Sequence, residues 1–408
     1  MKRLFQKVQG IMEELKFNLM KPKKYLTRYY SMLNKIKIKN FKCFQNKEFQ
    51  FNSLTFMVGA NGVGKSSLIQ SILFAHHTIQ KGVIQTDGSQ FDVELNGPYL
   101  LNLGRPQNVI SSNADSRTIS LNLEFYNAII NENVNVNINY DLIDEFGENY
   151  LLASLNSENT LVASTQSLTY LNAERVGPRL SLNLSPNSDW GIGYRGEYTP
   201  QILFKADKKK VKMPDELLIV KDTKRFSKQV EGWLQEIIPG TLLDYKIYAE
   251  TNTAVTNFKN EKMHTDFSPA TNTGFGISYC LPIIVAGLLE STEVGNGIFV
   301  IENPEAHLHP LGQSNMGKFL AKLSKAGVQV IVETHSEHII NGARLEMAKE
   351  SLNDNMSINF LSENFEEHSL EYITVNKSGE LSNWPAGFFD QEQKDLYELF
   401  KLKMDIKS

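Results

Sequence analysis

Cysteine is nearly absent: Cys43 and Cys280 are the only two in 408 residues. Two thiols so far apart give no disulfide framework and no metal-ligand spacing, which suits a reducing compartment and points to the cytoplasm. Long apolar runs are lacking too. The longest, Tyr279 to Leu289, is too short to span a bilayer and contains Pro282, so no transmembrane segment is expected. The N-terminus is basic, but its apolar residues are interleaved with charge, unlike a secretory leader. Neither sign of charge dominates. With 42 Lys and Arg against 46 Asp and Glu, the net charge of −4 argues against a wholesale nucleic-acid binder. No long heptad stretch is present, which excludes a coiled-coil arm. The remaining composition, 41% apolar and 22% charged, is that of a soluble globular protein with room for two or three domains.

What is present begins with GANGVGKSS, residues 59 to 67, which fits G-x-x-x-x-G-K-[ST]. Glycines in such a loop let backbone N–H groups turn inward around phosphate oxygens. Lys65 reaches the β and γ phosphates, and the Ser66 hydroxyl ligates Mg²⁺. The context agrees. Leu54, Phe56, Met57 and Val58 read as a buried strand, and Ser67 to Phe74 is apolar at helical spacing, so a helix N-terminus faces the same anion. This stretch predicts a nucleotide site.

Residues 1–40 carry eleven Lys and Arg against Glu13 and Glu14. Leu4, Phe5, Val8, Ile11, Met12 and Leu15 recur at helical spacing, predicting a basic amphipathic helix. Its wet face could meet nucleic acid, an anionic membrane or a partner, or simply cover its own domain. Leu33 to Phe41 alternates Ile and Lys as a half-buried strand, and Glu48 to Phe51 adds another. Ile119 to Phe125 and Val134 to Tyr140 alternate around an Asn-Glu-Asn turn and read as a hairpin. Lys205, Lys208, Lys209, Lys210 and Lys212 form a basic run, either a solvated face or a nucleic-acid contact. Phe226 to Ile238 reads as a helix, with strands near 243–258.

A second polar cluster starts at Asn272. In NTGFGISY, Gly274, Gly276 and Ser278 stand ahead of an expected apolar helix, Leu281 to Leu289, and small residues there allow close backbone approach. Ile298 to Ile301 reads as a strand buried on both faces, with Glu302 at its C-terminal end, where an acid can hold nucleotide-bound Mg²⁺. Glu305, His307 and His309 follow closely, but oxygen-ligated Mg²⁺ shared with phosphates fits the context better than a His-x-His metal site. Val328 to Val332 is a further strand, ending in Glu333, Thr334, His335 and Ser336. Three strand ends with polar groups could converge on one γ-phosphate.

The ordered set IKNFKCF, GANGVGKSS, LNAERVGPR, NTGFGISY, IENPEAHLHP, VIVETHSEH and WPAGFFDQ resembles the SMC/ABC-related AAA ATPases that include the OLD and Septu-type proteins of bacteria. Within them it is similar to a subgroup ending in a short domain with a WPxGFFDQ motif. The resemblance runs from about Leu33 to Phe400; residues 1–31 and much of 85–165 carry no motif. It implies an α/β P-loop NTPase of ABC/SMC type: a mixed sheet with flanking helices, a β-rich insertion between Walker A and signature, and a small C-terminal lobe. The implied segments are a basic extension (1–32), an N-lobe with Walker A (33–80), an insertion (81–265), a C-lobe with signature, Walker B and switch histidine (266–348), and a C-terminal domain (349–408).

The resemblance also implies roles. Asn61, Gly62, Gly64, Lys65, Ser66 and Ser67 would hold ATP as Walker A, with Ser66 and Glu302 on Mg²⁺. Gly274, Gly276 and Ser278 would act as a signature, meeting the γ-phosphate of a second subunit. His335 would sense that phosphate. Glu174, Arg175 and Arg179 belong to a family hallmark that also reads as an ion pair bracing the insertion. One departure matters: the position after the Walker B acid, usually the Glu that activates water, is Asn303. An amide orients water but accepts no proton at neutral pH, leaving Glu305 or His335 as substitutes and slow, conditional hydrolysis as the expectation.

The implied function is an ATP-driven switch that forms a homodimer or higher oligomer around nucleotide. It would be the ATPase of an antiviral defence system governing a separate, nuclease-type effector. After the His335 strand and helix only about 60 residues follow, with no TOPRIM-type acid cluster or HNH pattern. The alternatives are an SMC-like ATPase that binds and repairs DNA, a non-hydrolysing scaffold, and, least well matched, a transporter subunit, since NTGFGISY lacks the LSGGQ form.

Overall fold

The computed structural model describes residues 31–82, 90–127, 132–142, 149–155, 167–262, 266–295, 297–349, 355–363 and 368–405. The expected N-terminal amphipathic helix lies outside them. Two six-stranded sheets and one four-stranded sheet organise the chain.

The central sheet holds β3 (Leu54–Gly59), β8 (Ser167–Leu171), β13 (Gly297–Glu302), β14 (Gln329–Glu333), β15 (Met356–Glu363) and β16 (His368–Thr374) in the order β16-β15-β3-β14-β13-β8. All pairings are parallel except β15 with β16. Its inner strands β3, β13 and β14 are apolar without alternation because both faces are covered. Along β14, Val330 and Val332 face one core while Ile331 faces the other, and β13 divides Phe299 and Ile301 from Ile298 and Val300 in the same way.

On one face lie four helices: α3 (Phe226–Ile237), α4 (Phe275–Glu290), α5 (Pro310–Lys325) and α6 (Glu337–Lys349), of which α5 and α6 pack side by side. The other face carries α1 (Lys65–Gly82), sandwiched against an antiparallel sheet of β1 (Ser31–Phe41), β2 (Phe44–Gln50), β4 (Phe91–Glu94), β5 (Thr118–Asn127), β6 (Glu132–Asp141) and β7 (Tyr150–Leu155), ordered β2-β1-β5-β6-β7-β4. The expected hairpin is β5–β6, paired from Thr118↔Asp141 to Asn127↔Glu132. The third sheet comprises β10 (Thr241–Tyr248), β11 (Thr253–Asn260), β12 (Ser268–Pro269) and β9 (Leu182–Asn183), beside α2 (Thr199–Lys209). Near the C-terminus α7 (Gln391–Asp405) follows the WPAGFFDQ turn, whose Phe388 packs edge-on against Phe360 of β15.

Three expectations change. The proposed cut between N-lobe and insertion at 80/81 runs through one sheet, because β1 of the first pairs with β5 of the second. Strands expected in an appended C-terminal lobe are instead central-sheet strands: β15 pairs with β3 from Met356↔Leu54 to Leu361↔Gly59. Local periodicity reveals a strand but not its partner. The apolar helix starts at Phe275 with Gly274 as its N-cap, not at Leu281, so Gly276 and Ser278 lie inside its first turns. Phe275 and Tyr279 of those turns pack on His307, while Ile277 reaches the core.

Glu290, at the end of α4, is 5% exposed. Thr169 donates to its Oε1 at 2.6 Å, while Oε2 has no partner among the described residues. Burial pushes its carboxyl from 4.5 to about 7. A raised native value means stability that is full below about pH 4.5 and lost as pH rises through 7, with an upper bound of about 3 kcal/mol. The Glu290→Gln variant should therefore resist denaturant better than wild type at pH 8 and equal it near pH 4.5. Parallel urea titrations at the two pH values check this; an unchanged difference removes Glu290 as the cause.

Candidate nucleotide site at the C-terminal edge of the parallel sheet

Because β3, β8, β13 and β14 run parallel, their C-terminal ends meet at one edge, the place where open α/β sheets bind ligands. The phosphate loop leaves β3 here. Gly64 has φ 106°, and a Cβ on it would come within 2.8 Å of Cys43 Sγ and the Phe44 ring, so only glycine turns the chain into α1. Asn61, Gly62 and Ser66 are exposed, whereas Lys65 is buried with its ammonium on the Gly59 and Ala60 carbonyls at 2.9 and 2.7 Å. Phosphate oxygens would compete for that ammonium. The Ser67 hydroxyl faces the Cys43 thiol.

Glu302 ends β13. Tyr170 donates its hydroxyl to Oε1 at 2.8 Å, and the Ala173 N–H donates to Oε2 at 3.2 Å. Burial still leaves this carboxyl above its ordinary value. In register beside it on β14 stands Glu333, 6% exposed, with Lys65 and the Ser66 hydroxyl facing its carboxyl. Burial and the Glu302 charge push Glu333 to about 7. Among the described residues no group of three or more His, Cys, Asp or Glu could hold a metal by itself. Two carboxylates and a serine hydroxyl beside a phosphate loop fit Mg²⁺ instead, which keeps few protein ligands and takes the rest from phosphates and water.

The hallmark loop after β8 supplies the brace. Arg175, 2% exposed, donates to the Glu302 carbonyl at 2.7 Å, to the Asn172 carbonyl at 3.2 Å and to the Asn303 carbonyl. Desolvation lowers its guanidinium to about 10, so it stays charged at neutral pH. The ion pair in this loop is Glu174 with Arg195, at 3.1 Å. Arg179 is exposed and bonds only the Pro178 carbonyl among the described residues.

Asn303 has φ 45°, and its N–H donates to the Glu333 carbonyl at 2.8 Å. Asn tolerates that left-handed backbone better than Glu does. The Glu305 carboxylate accepts from Thr334 Oγ1 and from the His335 N–H, both at 2.7 Å, and so fixes the loop carrying His335. The exposed His335 imidazole is held below its ordinary value by partial burial and by Lys65, so it is neutral at pH 7.

The signature candidates divide. Gly274 is exposed at the N-cap of α4, with open space where a Cβ would stand. Gly276 is committed within the chain, since a Cβ there would meet the His307 carbonyl at 2.6 Å. Ser278 Oγ is buried without a partner among the described residues. Phe275, 54% exposed, and Tyr279 pack on His307, and Arg175 lies over the Tyr279 ring at 5.3 Å. The first turns of α4 are thereby tied to the Glu302 brace. Sequence reasoning placed Glu333 only among the strand-end polar groups that could converge on a γ-phosphate, with no role of its own, and assigned none to Tyr170.

Residues 54–341 match the family described as "AAA domain, putative AbiEii toxin, Type IV TA system", and residues 353–399 match "Protein of unknown function (DUF3696)". The chain is 22% identical to the OLD nuclease of Thermus scotoductus over 355 residues, 81% of this chain but only 65% of that protein. Its fold is similar to that of an SMC head bound to the C-winged helix domain of ScpA (15% identity, TM-score 0.52, covering 85% of this chain and 98% of that one). It is also similar to the SMC head with an extended coiled coil from Pyrococcus furiosus (13% identity, TM-score 0.54, covering 93% and 100%). Among the described residues no helix is long and apolar enough to cross a membrane. The chain belongs to the AAA-domain family described as putative AbiEii toxin, Type IV TA system.

Proposed function

We propose that this protein is an ATP-binding and slowly hydrolysing switch that dimerises around nucleotide and controls a separately encoded effector of nuclease type in a bacterial antiviral defence system. The observation that carries the reading is the convergence of Lys65, Ser66, Glu302, Glu333 and His335 on one open sheet edge. The name of the OLD nuclease relative supports a link to nuclease activity, and the exposed N-cap of α4 supports a surface that a second subunit meets.

In this reading Lys65 neutralises the β and γ phosphates, and Ser66 with Glu302 holds Mg²⁺. The cation supplies charge neutralisation on the transferred phosphoryl group. His335, neutral at pH 7 and positioned by Glu305, donates a hydrogen bond to the γ-phosphate. Asn303 orients water without taking its proton. Gly274 at the head of α4 meets the γ-phosphate of the partner subunit.

A second reading, nucleic-acid contact, is favoured by a cavity of about 980 Å³ beside α2 and α3, lined in part by Lys208, Lys210, Lys212, Lys224 and Arg225. Two of these cations are already paired, Lys224 with Asp215 and Arg225 with Asp207. It predicts ATP-dependent DNA binding with a steep salt dependence.

Light scattering should show wild type doubling its mass with ATP and Mg²⁺, and Lys65→Ala remaining at its nucleotide-free mass. Self-association that ignores nucleotide in both would sink the composite-site reading. In single-turnover assays, Asn303→Glu should hydrolyse ATP at least about threefold faster than wild type, since a positioned base contributes on the order of 10²-fold or more and left-handed strain of about 1–2 kcal/mol takes back a factor of about 5–30. Fast, unstimulated turnover by wild type would refute the slow switch.

A further inference from the structure

We propose that Glu333 is a second carboxylate ligand, direct or through water, of the divalent cation that accompanies nucleotide, acting from β14 beside Glu302 on β13. The proposal rests on the nucleotide-site reading above and adds to it a residue with no assigned role.

The geometry begins with register. Glu302 and Glu333 are directly paired across two parallel strands, so their side chains leave the same face at the spacing of neighbouring strands, about 5 Å. Both strands end there, and the phosphate loop follows the next strand, β3, whose Met57 is paired with Glu333. Glu333 thus stands between the acid expected on the cation and the loop expected on the phosphates. Its carboxyl is faced by the Ser66 hydroxyl, the group that ligates the cation in a phosphate loop.

The second observation concerns what Glu333 lacks. Its residue is 6% exposed, yet Oε2 has no hydrogen-bond partner among the described residues. A buried carboxylate oxygen left unpaired is costly, and a like charge in register beside it adds to that cost. Lys65 does not discharge it: its ammonium sits on the Gly59 and Ala60 carbonyls, and among the described residues it makes no ion pair with Glu333. Glu302, by contrast, has both oxygens bonded, to Tyr170 and Ala173. Glu302 keeps further lone pairs for a cation, but of the two acids the oxygen left wholly unpartnered among the described residues is on Glu333. One or two carboxylates beside phosphate oxygens is the ligand set that Mg²⁺ prefers.

The test measures binding rather than turnover. Calorimetric titration of ATPγS into wild type, Glu333→Gln and Lys65→Ala, in excess MgCl₂ and again in EDTA, gives the Mg²⁺ contribution as a ratio of dissociation constants. Electron paramagnetic resonance of free Mn²⁺ gives cation affinity with ATPγS bound. Glu333→Gln should lose about tenfold in both, within the range that removing a metal site's supporting group causes, while its affinity in EDTA holds or improves. Without nucleotide it should melt higher than wild type, and gain less from Mg²⁺ with ATPγS. Glu333→Asp, which keeps the charge, should recover part of the ratio and serves should the glutamine variant fold poorly. If Glu333→Gln keeps the wild-type Mg²⁺ ratio and Mn²⁺ affinity, Glu333 is a structural acid and the proposal is wrong. If Lys65→Ala binds ATPγS as well as wild type, the nucleotide site itself is misplaced and the proposal falls with it.

Discussion

One buried guanidinium holds the candidate site together. Arg175 reaches from the loop after β8 to the carbonyls of Glu302 and Asn303, just where β13 ends and its loop begins. Each of these bonds, once left unmade in the interior, costs about 1–3 kcal/mol, so the strand end, its left-handed turn and the hallmark loop form as a unit. The same side chain stacks on Tyr279 in the second turn of α4, and Tyr279 in turn packs on His307. The two segments expected to meet phosphate from opposite subunits are thereby linked within one chain by a single planar cation. Lysine, a point charge without a planar fork, would not make these contacts.

Much of this arrangement is legible in the sequence, for a physical reason. Parallel strands covered on both faces are apolar without interruption, so Leu54 to Val58, Ile298 to Ile301 and Val328 to Val332 announce themselves. The polar residues just after each must then lie at one edge, because parallel strands share a direction. Gly64, Lys65, Ser66, Glu302 and His335 are placed together by that logic alone. What is not legible is lateral order. Nothing in the run from Met356 to Leu361 says that it pairs with β3, and nothing in Ile36 to Phe41 says that it leaves the phosphate loop's sheet for another one. Glu333 escaped for the same reason. Its significance lies in standing beside Glu302, which is a fact about pairing. The start of α4 was missed differently: Gly274 and Gly276 read as a turn ahead of the apolar run, although Phe275 and Tyr279 already stand at helical spacing.

Residue 303 shows how the constraints interact. Its backbone lies at φ 45° because its N–H is taken by the Glu333 carbonyl and its own carbonyl by Arg175. A side chain that tolerates left-handed backbone is favoured there, and Asn meets that need while giving up a proton acceptor. Meanwhile the edge keeps its count of negative groups, with the second carboxylate displaced one strand sideways to Glu333. In the proposed reading a carboxylate at position 303 would serve to activate water, whereas one on β14 beside Ser66 serves the cation. The exchange would then favour holding the nucleotide over activating its attacker, and would leave rapid hydrolysis to wait on an outside event rather than on ATP alone.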